Sequence, residues 1–216
     1  MNVRTARITG LLYLGLALTG GLGFLFLRPR LFGSDDPVTT LANLVQHESL
    51  ARVAIALELG VVLTQALTAV WFYRLFRDVD AVAAGGIAAF GLVNAVVVLV
   101  SAACLTTALD VANSLGNAAI VQTLGLVSGN LWEVAALFFG LWLIPMGTAV
   151  LHSRAMPRPL GWVLVGGGVG YVVSGFVSAL APGADALSSA LTVPASVGEF
   201  WMIGYLLVRG VRRAAA

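Results

Sequence analysis

Three glutamates, Glu58, Glu133 and Glu199, stand within or against long apolar runs of the chain. A carboxyl group in hydrocarbon costs roughly 2.5–3.5 kcal/mol on insertion scales, so such a residue turns inward to a partner or serves a function. Counted from the outer helix ends at ~1.5 Å per residue, Glu58 and Glu199 lie about 8–12 Å deep and Glu133 is shallower. The three therefore share one outer-leaflet layer, with His47, Glu48, Arg52 and Asp110 just above it and Trp132 and Trp201 beside two of the acids. Two readings stand side by side. The acids are helix glue, bonded to Arg52, Asn94, Gln65 or Trp132, or they line a polar chamber open to the outer side. The ligand-binding candidates are Glu58, Glu133, Glu199, Arg52, Asn94, Asp110, Trp132 and Trp201, and Glu58 is the candidate general acid.

Other chemistries are harder to place. All 12 basic residues are arginine, which removes Schiff-base catalysis and a Walker-type phosphate loop, since both need lysine. His47 and His152 belong to opposite faces of the membrane and cannot share a metal. The lone cysteine, Cys104, cannot form an internal disulfide. Asp35 and Asp36 lack the repeated acids that hold a diphosphate through magnesium. No nucleophile elbow, zinc-protease motif or dinucleotide fingerprint occurs in the chain, and no cofactor is expected.

The elements that must position these side chains follow from composition. The chain of 216 residues is 59% hydrophobic and only 10% charged, against about 25% charged in an ordinary soluble domain. Its mean hydropathy is +0.96. These values exclude a soluble enzyme, a nucleic-acid binder and a disordered tail. Apolar stretches near the length of a bilayer span predict six helices: Ile8–Leu27, Val53–Phe72, Ala81–Leu105, Leu131–Leu151, Leu160–Ala181 and Leu191–Val208. The first exceeds a signal-peptide core and has no Ala-x-Ala site, so it reads as a retained helix. The expected fold is a single all-α membrane domain, a six-helix bundle over residues 1–216.

Arginine placement sets the orientation. Arg4, Arg7, Arg74, Arg77, Arg154, Arg158, Arg209, Arg212 and Arg213 fall on one side, and Arg28, Arg30 and Arg52 on the other. Nine against three puts both termini in the cytoplasm. In the first outer loop, Asp36 followed by Pro37 is a helix-start signal. Val38, Leu41, Leu44 and Val45 then recur at helical spacing, predicting a short interfacial helix over Pro37–Gln46. Segment Thr106–Asn130 is expected to hold a second interfacial or re-entrant helix, or to lengthen the fourth span. Small-residue stripes, Gly166–Gly170–Ser174–Ser178 and Gly15–Thr19–Gly23, mark close helix contacts, and Pro145 implies a kink in the fourth span.

Several strings in order resemble the bacterial membrane family of domain of unknown function 4386. They are Ala6-Arg7-Ile8-Thr9-Gly10-Leu11-Leu12-Tyr13-Leu14, Glu48-Ser49-Leu50-Ala51-Arg52 leading to Glu58-Leu59, Phe138-Phe139-Gly140, Met156-Pro157-Arg158-Pro159-Leu160-Gly161, Gly168-Val169-Gly170-Tyr171, and Gly198-Glu199 before Leu206-Leu207-Val208-Arg209-Gly210. Pro145-Met146-Gly147 departs from the leucine-rich stretch usual there. The resemblance implies six membrane helices and no assigned activity, and it carries over no catalytic residue. The expected protein is a multi-pass component of a bacterial inner membrane whose partners are membrane lipids, a small amphiphile or isoprenoid, or a partner helix, and not nucleic acid. Its expected role is a non-catalytic binding module. The alternative is an intramembrane enzyme that protonates a lipid or isoprenoid as terpene cyclases do, and a proton-coupled transporter comes third.

The orientation is tested with reporters. One fused after Ala216 should be active only if it works in the cytoplasm, and one between Ser188 and Ser189 only if it works outside. A cytoplasmic signal from the internal position would remove the six-span arrangement.

Overall fold

In the computed structural model, residues 2–181 and 183–211 are described. Helix α1 (Val3–Gly20) passes through a π-helical stretch, Gly21–Leu27, into α2 (Arg28–Phe32); α3 (Pro37–Gln46), α4 (Glu48–Phe76), α5 (Ala81–Ser114), α6 (Ala118–Ser153), α7 (Arg158–Leu180) and α8 (Asp185–Val208) follow. There is no strand among the described residues. Six segments are long and apolar enough to cross a membrane: Val3–Phe32, Glu48–Phe76, Ala81–Ser114, Ala118–Ser153, Arg158–Leu180 and Asp185–Val208. The chain is therefore an all-helical protein with six membrane-type helices, as expected. Arg212 and Arg213 of the arginine count lie outside the described residues. Because α8 begins at Asp185, the turn at Gly183–Ala184 is a gentler reporter site than Ser188–Ser189.

For the segment Thr106–Asn130 the structure selects the expected alternative of a longer fourth span, and it lengthens the third as well. The segment holds no separate interfacial helix: α5 continues to Ser114, and α6 starts at Ala118 after a turn at Gly116, whose φ of 59° suits glycine. At 34 and 36 residues, these helices run about 50 Å, well beyond a ~30 Å hydrocarbon core. Hydropathy counting misses the extension because it is amphipathic. Ala108, Leu109, Ala112 and Val121 are buried with Leu31, Leu44, Ala51 and Ala54, while Asp110 is exposed.

Helix α3 matches its predicted bounds. The Asp36 carboxylate accepts from the Thr39 amide at 2.9 Å, the Thr39 hydroxyl at 2.6 Å and the Val38 amide at 3.4 Å. The Thr39 hydroxyl and then its amide hold the Asp36 carboxyl below the usual range. Leu44 is buried, whereas Val38 and Val45 remain exposed, so the inward face is narrower than the predicted stripe.

Contacts divide the chain into two compact units. In the one formed by Met1–Leu14, Gln65–Asn94 and Val134–Ala216, α6 and α7 meet through paired glycines. A Cβ added at Gly140 would lie 2.7 Å from the Gly168 carbonyl oxygen, and one at Gly168 would lie 2.8 Å from that of Gly140. Seven residues along each helix, Gly147 and Gly161 repeat the contact at 2.6 and 3.0 Å. Helix α7 meets α8 through Gly167 against Ala195, Gly170 against Leu191, and Ser178 hydrogen-bonded to Ser188 at 2.8 Å. A Cβ added at Gly166, which belongs to the predicted stripe, would meet nothing within 4 Å. Pro145 lies inside α6, against Gly86 of α5. Asp80 accepts from the Ala83 amide at 2.9 Å and is 2.7 Å from His152 Nδ1, tying the start of α5 to the end of α6.

In the other unit, Gly15–Thr64 with Ala95–Glu133, the predicted stripe on the first helix packs on α4. Gly15 faces Thr64, Thr19 faces Gly60 and Gly23 faces Leu57.

These contacts separate two kinds of glycine. Gly161→Ala and Gly168→Ala should each destabilise by about 1–3 kcal/mol, because the methyl group meets backbone across the contact. Gly166→Ala, with open space, should be neutral or slightly stabilising. Thermal unfolding in detergent measures this, and equal losses at all three positions would contradict the paired contact.

Candidate functional site

Among the described residues, buried polar side chains that could act together occur in both units, whereas Thr9, Thr40 and Ser174 bond backbone carbonyls. The second unit's group centres on Arg28. The π-helical stretch matters here: the Arg28 amide bonds the carbonyl of Gly23, five residues back, so one wide turn returns Arg28 toward the face on which Gly23 meets α4. Helical side chains lean toward the N-terminus, which aims the guanidinium back into the span. Nη1 donates to Glu58 Oε1 at 3.2 Å, and Nη2 donates to the Gly125 carbonyl at 3.2 Å and to Ser128 Oγ at 3.0 Å. Trp132 Nε1 donates to the same Glu58 oxygen at 3.1 Å. Ser128 Oγ is 2.6 Å from Ser101 Oγ. The Phe32 ring lies 6.0 Å from the guanidinium, and Phe24 packs on Trp132 at 5.1 Å. The ion pair is buried, with side-chain exposures of 14% for Arg28 and 7% for Glu58.

The first unit's group begins with Tyr13, whose hydroxyl donates to Glu199 Oε1 at 2.6 Å. Its ring stands edge-on to Phe72 and Trp142, each at 5.5 Å. Trp142 in turn lies against Gly91 of α5, which faces Ala69 of α4. Because α4 and α5 are antiparallel neighbours, one helical turn forward from Gly91 and one back from Ala69 bring Asn94 and Gln65 to the same level. Thr68 lies beside them on α4. Gln65, Thr68, Asn94 and Trp142 are all at most 1% exposed. Six of their side-chain atoms have no partner among the described residues: both amide atoms of Gln65 and of Asn94, the Thr68 hydroxyl, and Trp142 Nε1.

The chain belongs to the family of domain of unknown function 4386. Its family model matches residues 8–210. No curated protein and no solved structure matches the chain. For this member of the DUF4386 family, the arrangement of its own side chains is therefore the basis for any functional reading.

The structure joins some of the expected site residues and separates others. Glu58 and Trp132 belong to one network. Arg52 does not reach Glu58: it pairs with Glu48 at 2.7 Å, one turn back on the outer surface of α4. Arg28, counted from sequence as a loop charge, takes that place because the first span continues to Phe32 instead of ending at Leu27. Glu133 is exposed rather than turned inward. Helical geometry explains this, since Ser128 and Trp132 define the inward face and the next residue is rotated by about 100°. Asp110 and Trp201 are also exposed. Glu199 has Tyr13 as its partner, and Asn94 is buried without one. Arg28, Tyr13, Ser101, Ser128 and Trp142 are additions that sequence reading did not supply. Arg28 carried a usable signal, an arginine directly continuing an apolar run.

The Arg28 network predicts a non-additive mutant cycle. Arg28→Met alone should destabilise by about 3 kcal/mol, because it strands a buried carboxylate. Adding Glu58→Leu should recover most of that loss. Additive losses in thermal unfolding would show that the pair is not coupled.

Proposed function

We propose that this chain is a non-catalytic multi-pass module of a bacterial cytoplasmic membrane, its termini cytoplasmic, that holds a lipid or small amphiphile by its polar end. The observation that carries the reading is the set Gln65, Thr68, Asn94 and Trp142, four buried polar side chains from α4, α5 and α6 with no protein partner among the described residues. Leaving a buried donor or acceptor unmade costs roughly 1–3 kcal/mol, and the surrounding hydrocarbon offers no partner. A guest that both donates and accepts answers the deficit. Two carboxamides, a hydroxyl and an indole N–H suit a head carrying hydroxyl or carbonyl groups, and no charge is needed to hold it. The apolar remainder of such a guest would be at home in the surrounding hydrocarbon. Helix α3, capped by Asp36 and seated through Leu44, lies in the outer interface in this arrangement.

The reading predicts the behaviour of Asn94→Leu and Gln65→Leu. Each should lower the amount of the co-purifying lipid or amphiphile about tenfold, as expected for loss of one or two buried hydrogen bonds. Mass spectrometry of the detergent-extracted protein measures it, with thermal unfolding of the same samples. An unchanged lipid profile together with higher stability would mean that the four side chains hold nothing, and would end the proposal.

A further inference from the structure

The first unit also contains a cavity of about 620 Å³ where α6 gives way to α7 and α8 ends. Its walls are Arg154, Ala155, Met156, Pro157, Tyr205 and Arg209. That volume is ample for a small ligand or a headgroup. Two exposed arginines line the same space from separate parts of the chain, one from the α6–α7 connection and one from the end of α8. Among the described residues, neither forms an ion pair. The nearby Asp80 carboxylate is engaged by His152 and the Ala83 amide. The cavity wall is fixed, since the Tyr205 hydroxyl donates to the Ala155 carbonyl at 3.0 Å.

Arg154 adds an independent observation. It is the non-glycine residue of the described chain with positive φ, at 51°. The left-handed conformation is costly for a residue with a Cβ, and at this place, just beyond the end of a helix, glycine or asparagine is the usual choice. Arg154 thus keeps a costly backbone conformation at a position that lines the cavity.

We propose that this cavity binds the phosphate group of an anionic lipid, clamped between Arg154 and Arg209. Phosphate offers several acceptor oxygens to the planar forks of two arginines, a match that a single carboxylate meets less well. The lipid source follows from the surroundings. Met156 and Pro157 make apolar walls, Val208 beside Arg209 is 75% exposed, and the site lies on the side to which the arginine bias assigns the cytoplasm. Headgroup and acyl chains would then be held together, which free phosphate cannot exploit. The site is separate from the buried set around Asn94, and it does not depend on that reading.

The test uses the full chain in detergent, with its thermal midpoint titrated against short-chain phosphatidylglycerol, short-chain phosphatidylcholine and inorganic phosphate. The expected result is a rise with phosphatidylglycerol that the other two do not produce at equal concentration. Arg154→Gly and Arg209→Gln should each weaken the apparent affinity about tenfold. Arg74→Gln, an exposed arginine assigned to the same side, should leave it unchanged. Arg154→Gly should keep or raise the unliganded midpoint, because glycine accepts the positive φ without strain. Arg209→Gln gives the same reading without touching that backbone. No shift with phosphatidylglycerol, or an equal loss in Arg74→Gln, would overturn the proposal and leave the arginines as topology determinants. An equal rise with inorganic phosphate would overturn the lipid source and identify a free-anion site.

Discussion

A bilayer core supplies no water, so every polar side chain within it must be answered by another group of the protein or by a guest. That constraint explains why a single guanidinium organises so much of the second unit. Arg28 brings α2, α4 and α6 together through Glu58, the Gly125 carbonyl and Ser128, and Ser128 extends the link to Ser101 on α5. The arrangement needs the π-helical stretch before it. An uninterrupted α-helix would turn residue 28 well away from the face used by Gly15, Thr19 and Gly23. One wide turn corrects the register, at the cost of poorer backbone geometry over seven residues. A helix defect and a buried charge are here two halves of one device.

Packing in the first unit obeys the same absence of water in a different way. Hydrocarbon is as apolar as leucine, so membrane helices gain nothing by hiding leucine from lipid and associate through close backbone approach. Gly140 and Gly147 on α6 face Gly168 and Gly161 on α7 with spacing of seven residues on both sides. Seven residues make nearly two helical turns, so the two contacts fall on one line and fix both rotation and register. Exposed Leu, Val and Phe side chains along the remaining faces are then ordinary lipid contacts.

The number and order of the helices were legible from hydropathy and charge, as were the bounds and cap of α3, whose Asp-Pro start is a local signal. Helix lengths were less legible. A hydropathy window finds hydrocarbon, whereas α5 and α6 are extended by protein contacts around Ala108, Leu109 and Val121, in a segment whose composition left an interfacial helix, a re-entrant helix and a longer span all open. At the site, Glu58 and Trp132 were visible as candidates because they interrupt apolar runs. The ion-pair partner of Glu58 was not, because Arg28 looks like the end of a span until the π-helical register is known. Glu133 shows the opposite error: depth alone placed it with the other acids, but depth does not fix the face of a helix, and rotation by one residue from Trp132 leaves it outside.

The two groups of buried polar residues differ in a way that bears on function. Around Arg28, charge is matched by charge, nearly every donor has an acceptor, and the orphan is a single carboxylate oxygen, Glu58 Oε2. In the first unit, Gln65, Thr68, Asn94 and Trp142 are themselves uncharged, and six of their side-chain atoms have no partner among the described residues. A satisfied network fixes helices, whereas an unsatisfied one carries a continuing cost. If polar residues in this bundle served packing alone, the amides on α4 and α5 would be expected to bond each other, since they stand one turn from the Gly91–Ala69 contact on adjacent helices. They do not, although the backbones there approach closely enough that a Cβ added at Gly91 would lie 2.8 Å from that of Ala69. The helices are brought together by small residues, and the amides beside that contact are left with unused hydrogen-bonding capacity. On the proposed reading, small residues supply the packing, and the polar groups are what a lipid or amphiphile would complete.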